Sequence, residues 1–239
     1  AYGDHGLGAQ VPDDNEGLAS TELELGAAQE LGGDPEAAAA TYRSVLQELA
    51  GLGFSDYRDE LTFYTHSQLG SLALSQGDLQ EAADQLTAAL NQEYTDGPPG
   101  PNDEVGWGRQ SARLSSGAQD NNLALALAKL GRGNDAVTYA ESALAHDPAN
   151  PVFVDTVAFA QHLSGHAHAA AQAYRAALAA DPTSYVSANN LAVLLAQEGH
   201  RSDAAAVLED ALRVAPHYAI GWHNLGVVEA SASRELLPS

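Results

Sequence analysis

The apolar residues between positions 121 and 217 recur at helical intervals, in short segments separated by polar breaks. Two successive segments show the spacing, with apolar residues at Leu123, Leu127 and Leu130 and then at Ala136, Ala140 and Ala143. Such spacing places these side chains on one face of a helix. Gly131 separates the two segments, and Asp147-Pro148 ends the second, because a residue before proline is disfavoured in the α conformation. The pattern predicts a pair of short amphipathic helices.

The same pair occurs three times, shifted by 34 residues each time. The glycines between paired segments are Gly131, Gly165 and Gly199, and the second segments end at Asp147-Pro148, Asp181-Pro182 and Ala215-Pro216. A period near 34 is typical of helical solenoids. A single hairpin cannot bury its apolar face alone, so successive hairpins are expected to stack.

Residue types and spacing together resemble the tetratricopeptide repeat family. The resemblance implies an all-α fold, a right-handed α-α superhelix of about five helix-turn-helix repeats with a C-terminal capping helix. It also implies that the first helix of each repeat lines a concave surface, which in this family holds extended peptides or partner helices.

Outside the three regular repeats, the repeat pattern is interrupted by segments of irregular length, and these interruptions set the predicted boundaries. The predicted segments are a flexible acidic tail at 1–18, two repeats at 19–94 with a longer connection near 51–60, a Gly/Pro-rich insert loop at 95–116, three repeats at 117–218, and a partial repeat at 219–239 that serves as a capping helix and tail. In the partial repeat, Ser231-Ala232-Ser233 replaces the expected glycine turn, and Leu236 and Leu237 are candidates for an outside contact. Trp107 in the insert either packs against the array, which we favour, or meets a partner.

The composition excludes several classes of partner and of chemistry. The formal net charge is −22, from 32 acidic and 10 basic residues, which argues against nucleic acid or an anionic membrane as a partner. The excess of acids is read either as a salt adaptation or as a means of solubility. The absence of cysteine excludes disulfides and thiolate sites. Two locations stay open, namely export after removal of a signal peptide and the cytoplasm.

The sequence contains no arrangement that predicts catalysis, a cofactor or a metal. No segment has the glycine pattern of a phosphate-binding or dinucleotide-binding loop. His162 and His166 are four residues apart and could chelate a metal from one helix face, but Gly165 should end the helix between them. We interpret them as exposed turn histidines. Asp13-Asp14 and Asp103-Glu104 are interpreted as solvated charge rather than calcium ligands.

Three equivalent rows on the first helices are the candidate peptide-binding residues. They are Asn122, Asn190 and Asn224; Asn121, Asn189 and His223; and the apolar Leu125, Phe159, Val193 and Val227, with the single lysine, Lys129, beside them. Asp155 occupies the position of the second row on the remaining first helix. An asparagine amide both donates and accepts hydrogen bonds, as a peptide backbone requires. The asparagine row, interrupted by Thr156, resembles the asparagine ladder with which some tetratricopeptide proteins hold peptides. Alternatively, these asparagines tie adjacent helices together.

The expected function is therefore a non-enzymatic scaffold that binds another protein. Some members of the family grip acidic peptide ends with Lys and Arg, and the matching rows here lack them, so a neutral, apolar or basic segment fits better. The alternatives are a self-assembling subunit of a homo-oligomer, filament or coat, and an accessory subunit of a larger complex.

Overall fold

A computed structural model describes residues 14–53, 56–94 and 107–235, which form helices joined by short turns. This part of the chain contains no strand, so the predicted all-α fold is confirmed. The chain divides into two compact units, Ala1–Val105 and Gly106–Ser239, which we describe separately as unit 1 and unit 2. No helix of the described ranges is both long and apolar enough to cross a membrane.

Unit 1 consists of two helix hairpins that pack against each other. Its helices are α1 (Asp14–Leu31), α2 (Pro35–Ala50), α3 (Asp56–Gln76) and α4 (Leu79–Tyr94). The pairs α1–α2 and α3–α4 form the hairpins, and α3 packs on both helices of the first. Tyr42, Val45 and Leu49 of α2 are almost fully buried in this contact, together with Leu69 of α3.

Unit 2 contains, in its described residues, three hairpins and a last helix. Its helices are α5 (Trp107–Lys129), α6 (Gly133–His146), α7 (Pro151–Leu163), α8 (Ala167–Ala180), α9 (Tyr185–Gln197), α10 (Arg201–Val214) and α11 (Ala219–Glu235). Each second helix packs on the first helix of the next hairpin, and the first helices α5, α7 and α9 also contact their successors α7, α9 and α11. Tyr174, Leu191, Leu208 and Leu225 belong to one core cluster that spans several hairpins.

Every turn inside a hairpin is built in the same way. The turn glycines, all with positive φ between 79° and 85°, are Gly33, Gly77, Gly131, Gly165 and Gly199. At each, the residue after the glycine donates its backbone N–H to a carbonyl five residues earlier, as in the bond from Arg132 to Leu127 at 2.9 Å. Glycine is favoured in this left-handed helix ending because it has no Cβ.

A small residue in each first helix allows the second helix to approach closely. A Cβ added to Gly26 would lie 2.4 Å from the Tyr42 ring, and one added to Gly70 would lie 2.7 Å from Leu86. In unit 2 the equivalent positions hold Ala124, Ala158 and Ala192, each fully buried. Small side chains at these positions therefore let the two helices of each hairpin lie close together.

Helices extend further than the repeat pattern predicts. Residues 14–18, assigned to the acidic tail, lie in α1, and residues 56–60, assigned to a connection, lie in α3. Residues 107–116, assigned to the insert loop, lie in α5, and α11 continues through 231–233 to Glu235. The repeat pattern marks only positions that pack within a repeat, so helical residues beyond it were missed. None of these stretches contains proline, which would have prevented the extension.

Some predictions concern residues outside the described part of the chain. These are the tail at 1–13, the acidic pair Asp103-Glu104, the rest of the insert at 95–106, and Leu236 with Leu237. The side chain of Trp107 also lies outside it, so both alternatives for that residue stay predictions.

Candidate binding surface

The first helices of unit 2, together with α11, each leave one lengthwise strip accessible to solvent. On α9 the accessible side chains include Val186, Asn190, Val193 and Gln197, while most others on this helix are buried. Spacings of four, three and four residues place these side chains on one side of the helix. We call these strips together the first-helix face: Ala118, Asn122, Leu125 and Lys129; Val152, Asp155, Phe159 and Leu163; Val186, Asn190, Val193 and Gln197; Ile220, Asn224 and Val227. On α7 the position equivalent to Asn190 is the buried Thr156, and the half-buried Asp155 before it takes its place on the strip.

An exposed aliphatic row runs across the start of these helices. Val152, Val186 and Ile220 are 58%, 45% and 58% exposed and stand 34 residues apart. Ala118, also exposed, holds the same position on α5. Exposed aliphatic side chains that follow one another across a surface indicate a contact site, whereas single ones do not. Sequence reasoning missed this row, although the interval that identified the repeats would have revealed it.

The three predicted rows lie at different depths. In the apolar row Val227 is 51% exposed, whereas Leu125, Phe159 and Val193 are half-buried beside it. Lys129 and His223 are exposed. The first helices therefore offer a second line of apolar contact, parallel to the row that begins at Val152.

The asparagines mostly contact one another. Asn224 Nδ2 donates to Asn189 Oδ1 at 2.9 Å, which ties α11 to α9, and Asn121 Nδ2 donates to Asn122 Oδ1 at 3.3 Å. Asn121 and Asn189 are each only 6% exposed. The Asn189–Asn224 bond follows the alternative interpretation, in which asparagines hold neighbouring helices together. Asn190 is half-buried and makes no side-chain hydrogen bond with the described residues, so its amide is available to a ligand.

Asp155 occupies the asparagine position on α7 and has different surroundings. Its Oδ1 accepts a hydrogen bond from Ser187 Oγ of α9 at 2.6 Å. The carboxyl is half-buried, and burial raises its pKa above the usual value, although the Ser187 hydrogen bond partly lowers it. The fully buried Tyr174 lies near enough for the Asp155 charge to raise its pKa further, after burial itself.

The histidines of the α7–α8 turn do not come together as ligands. His162 Nε2 lies 2.9 Å from Gln197 Oε1 on α9, and its ring meets the edge of Tyr174 at a centroid distance of 6.2 Å. The helix ends at Leu163, and His166 lies beyond Gly165 at the start of α8. Within the described ranges, no group of three or more His, Cys, Asp or Glu side chains could hold a metal ion.

The first-helix face carries little charge although the chain is strongly acidic. The helices α5, α7 and α9 contain two acids, Asp120 and Asp155. Further acids lie on the second helices α6 and α10: Asp135, Glu141, Asp203, Glu209 and Asp210. The surface around the aliphatic row is therefore mostly apolar and amide, with one carboxylate in it.

Stacked helix hairpins with a repeated glycine turn and a repeated small-residue contact define a helical-repeat protein. A model of the tetratricopeptide repeat family matches residues 189–235. The described hairpins have the tetratricopeptide repeat fold, as the repeat pattern predicts, and residues 189–235 match the family itself. A search of curated proteins found no match.

Several solved structures share this fold. The protein YrrB, described as a TPR protein with an unusual peptide-binding site, is 18% identical with a TM-score of 0.58, over 84% of this chain and 89% of its own. MamA from Desulfovibrio magneticus RS-1 is 14% identical with a TM-score of 0.64, over 87% and 99% of the two chains. TTC0263 from Thermus thermophilus is 17% identical with a TM-score of 0.59, over 89% and 99%. At these identities the likeness concerns the fold alone.

Proposed function

We propose that the first-helix face of unit 2 binds an extended peptide segment of another protein. The observation that supports this most is the aliphatic row of Val152, Val186 and Ile220, exposed at one position of three successive first helices. A bound segment with aliphatic side chains would remove this row from water. Fully burying a side chain of this type stabilises a complex by roughly 1.5–3 kcal/mol relative to leaving it exposed.

The polar residues of the face fit the backbone of such a segment. Asn190 lies between Val186 and Val193 on the same strip, and its amide can donate to a carbonyl and accept from an N–H. Asn224 and Asn189 already bond each other, so in this proposal they fix the spacing of α9 and α11 rather than contact the peptide. YrrB, which shares the fold, is described as having a peptide-binding site. The proposal involves no catalytic step.

A random-peptide phage library selected on the immobilised protein tests the proposal. We expect enriched peptides rich in aliphatic residues, and one of them, made synthetically, serves as the probe in calorimetry. The double variant Val186→Gln/Ile220→Gln should bind this probe about tenfold more weakly or worse, because two exposed apolar contacts are lost.

Val214→Gln is the matched control. Val214 is 53% exposed, comparable to Val186 and Ile220, but lies at the end of the second helix α10, outside the first-helix face. This variant should bind the probe as the wild type does. Failure to enrich any peptide, or equal affinities in all three proteins, would contradict the proposal.

Self-assembly is a second candidate, which the terminal helices favour. Leu18 and Leu25 of α1 are 53% and 51% exposed, and Trp222 of α11 is 54% exposed. A Cβ added to Gly226 would meet nothing within 4 Å, whereas Gly26 holds the same position in α1 and is covered by Tyr42 of its hairpin. A second copy of the chain would cover these apolar helices.

Sedimentation of the purified chain at micromolar concentration tests self-assembly. A species heavier than the monomer, which Leu18→Gln/Leu25→Gln returns to the monomer, is the expected result if these helices associate. A monomer at all concentrations would exclude this candidate and leave peptide binding untouched.

A further inference from the structure

Asp155 is a carboxylate of the first-helix face that is paired with no cation of the described residues. Its one hydrogen bond to the described residues comes from Ser187 Oγ, and it forms no ion pair with them. A hydroxyl donor spreads the negative charge but does not neutralise it. A half-buried charge loses part of its hydration, and an opposite charge is what restores the lost stabilisation.

The hydroxyl of Tyr174, which lies near Asp155, is a second polar group that lacks a partner among the described residues. The side chain of Tyr174 is fully buried, and its hydroxyl has no hydrogen-bond partner in the described part of the chain. Burial raises the pKa of this hydroxyl, and the charge of Asp155 raises it further. Most buried polar groups in proteins are hydrogen-bonded, so an unpartnered one calls for an explanation. The phenol is closed off from solvent, so the half-buried Asp155 is the member of this pair that a donor from a ligand can reach.

The repeat itself shows that the fold does not need an acid here. The equivalent positions on α5 and α9 hold Asn121 and Asn189, which are buried and bond to neighbouring asparagines. An asparagine at 155 could accept the Ser187 hydrogen bond equally well. The carboxylate therefore adds charge where the framework requires only an acceptor.

We infer that Asp155 is the subsite for a lysine or arginine side chain of the peptide bound on the first-helix face. The inference rests on the proposed function and narrows the ligand to an aliphatic segment that carries one basic residue near Val152 and Val186. An ammonium or guanidinium group donates charge-assisted hydrogen bonds to a carboxylate, which are stronger than those between neutral groups.

The charge of the whole chain favours the same ligand. With a net charge of −22 the protein attracts basic segments and repels acidic ones at long range. Within the face, the pairing is specific, because Val186, Asn190 and Val193 on the neighbouring strip are uncharged. A basic residue of the peptide thus has one acidic partner on the face, Asp155, whose position relative to the aliphatic row is fixed by the fold.

The random-peptide library described above, selected in parallel on wild type and on Asp155→Asn, tests the subsite. We expect wild-type selections to contain a lysine or arginine next to aliphatic residues, and Asp155→Asn selections to keep the aliphatic residues and lose the basic one. A synthetic wild-type-selected peptide and its analogue with glutamine at the basic position are then compared by calorimetry. Asp155→Asn should weaken binding of the basic peptide about tenfold or more and leave the affinity for the glutamine analogue unchanged.

Asp120→Asn is the matched control. Asp120 also accepts a serine hydroxyl at 2.6 Å, but it is buried towards α6 and lies outside the first-helix face. This variant should bind both peptides as the wild type does, and melting curves of both variants check that they fold. Aliphatic peptides without a preferred basic residue, or equal loss in both variants, would overturn the subsite and leave peptide binding standing. Selections that enrich no peptide would overturn both.

Discussion

The surroundings of Asp120 and Asp155 differ although both acids accept a serine hydroxyl at 2.6 Å in the same unit. Asp120 is 4% exposed, and its serine, Ser142, lies on the second helix of its own hairpin. His146 Nε2 on that helix is 3.7 Å away and, when protonated, supplies a positive charge. Burial raises the pKa of Asp120, while Ser142 and His146 lower it.

Asp155 accepts its hydrogen bond from a serine of the next hairpin and forms no ion pair with the described residues. Ser187 belongs to α9, so the hydrogen bond links two repeats instead of closing one. Near Asp155 there is a tyrosine hydroxyl that no described residue satisfies, where Asp120 has a histidine. The difference teaches that an acid whose serine and histidine partners lie in its own hairpin serves the framework, whereas an acid without a cation between hairpins is available to a ligand.

The largest effect is expected from substitution of Tyr174, whose pKa the Asp155 charge raises. Tyr174→Ala should lower the free energy of unfolding by about 3–5 kcal/mol, because it removes a fully buried ring from the core. Tyr174→Phe should leave the stability unchanged or raise it slightly, since the hydroxyl bonds to none of the described residues. Urea unfolding of both variants measures this. A large loss in Tyr174→Phe would show that the hydroxyl has a partner in solution.

A smaller effect should follow from removal of the serine donors. Ser187→Ala deprives Asp155 of its hydrogen bond and should cost about 1–3 kcal/mol at neutral pH, as expected for a buried group left unsatisfied. Ser142→Ala should cost less when His146 is protonated, because Asp120 then keeps a charged neighbour. Urea unfolding at acidic and neutral pH compares the two. Equal costs at every pH would show that His146 does not distinguish the surroundings of the two acids.

The smallest effect is a pH-dependent gain in Asp155→Asn. Because the folded pKa of Asp155 is raised, the folded state keeps its proton in a window where the unfolded chain has lost it. Wild-type stability therefore falls as pH rises through this window, from about pH 4 upwards, and an asparagine has no such fall. The free energy of unfolding of the variant should therefore rise relative to that of the wild type across this pH window. Above the window the difference between the two proteins should stay constant. A difference independent of pH would contradict the raised pKa.

The helix hairpins follow from local rules and could be predicted. Gly131, Gly165 and Gly199 end helices because a left-handed residue is needed there, a requirement that neighbouring residues alone impose. The apolar spacing of Ala136 and Ala140 indicated which face of α6 is buried, and both are fully buried. The starts of α1, α3 and α5 were missed, since nothing in the repeat pattern marks helical turns that lie outside a repeat.

The chemistry of the binding surface could be predicted only in part. The rows through Asn122 and Leu125 were identified from their spacing, but spacing cannot show that Asn224 would bond Asn189. Such bonds depend on side chains from different hairpins meeting at a particular angle. The role of Asp155 was missed for the same reason, since its serine lies 32 residues away along the chain.

The sequence by itself determined the helices, their turns and the stacking of one hairpin on the next, because these depend on backbone preferences and on short-range apolar spacing. The tertiary structure alone decided which equivalent residues are exposed and which bond each other. Val152 and Val186 stay in solvent, and Asp155 keeps a charge without a cation from the described residues, because packing between repeats covers some positions of a row and leaves others open.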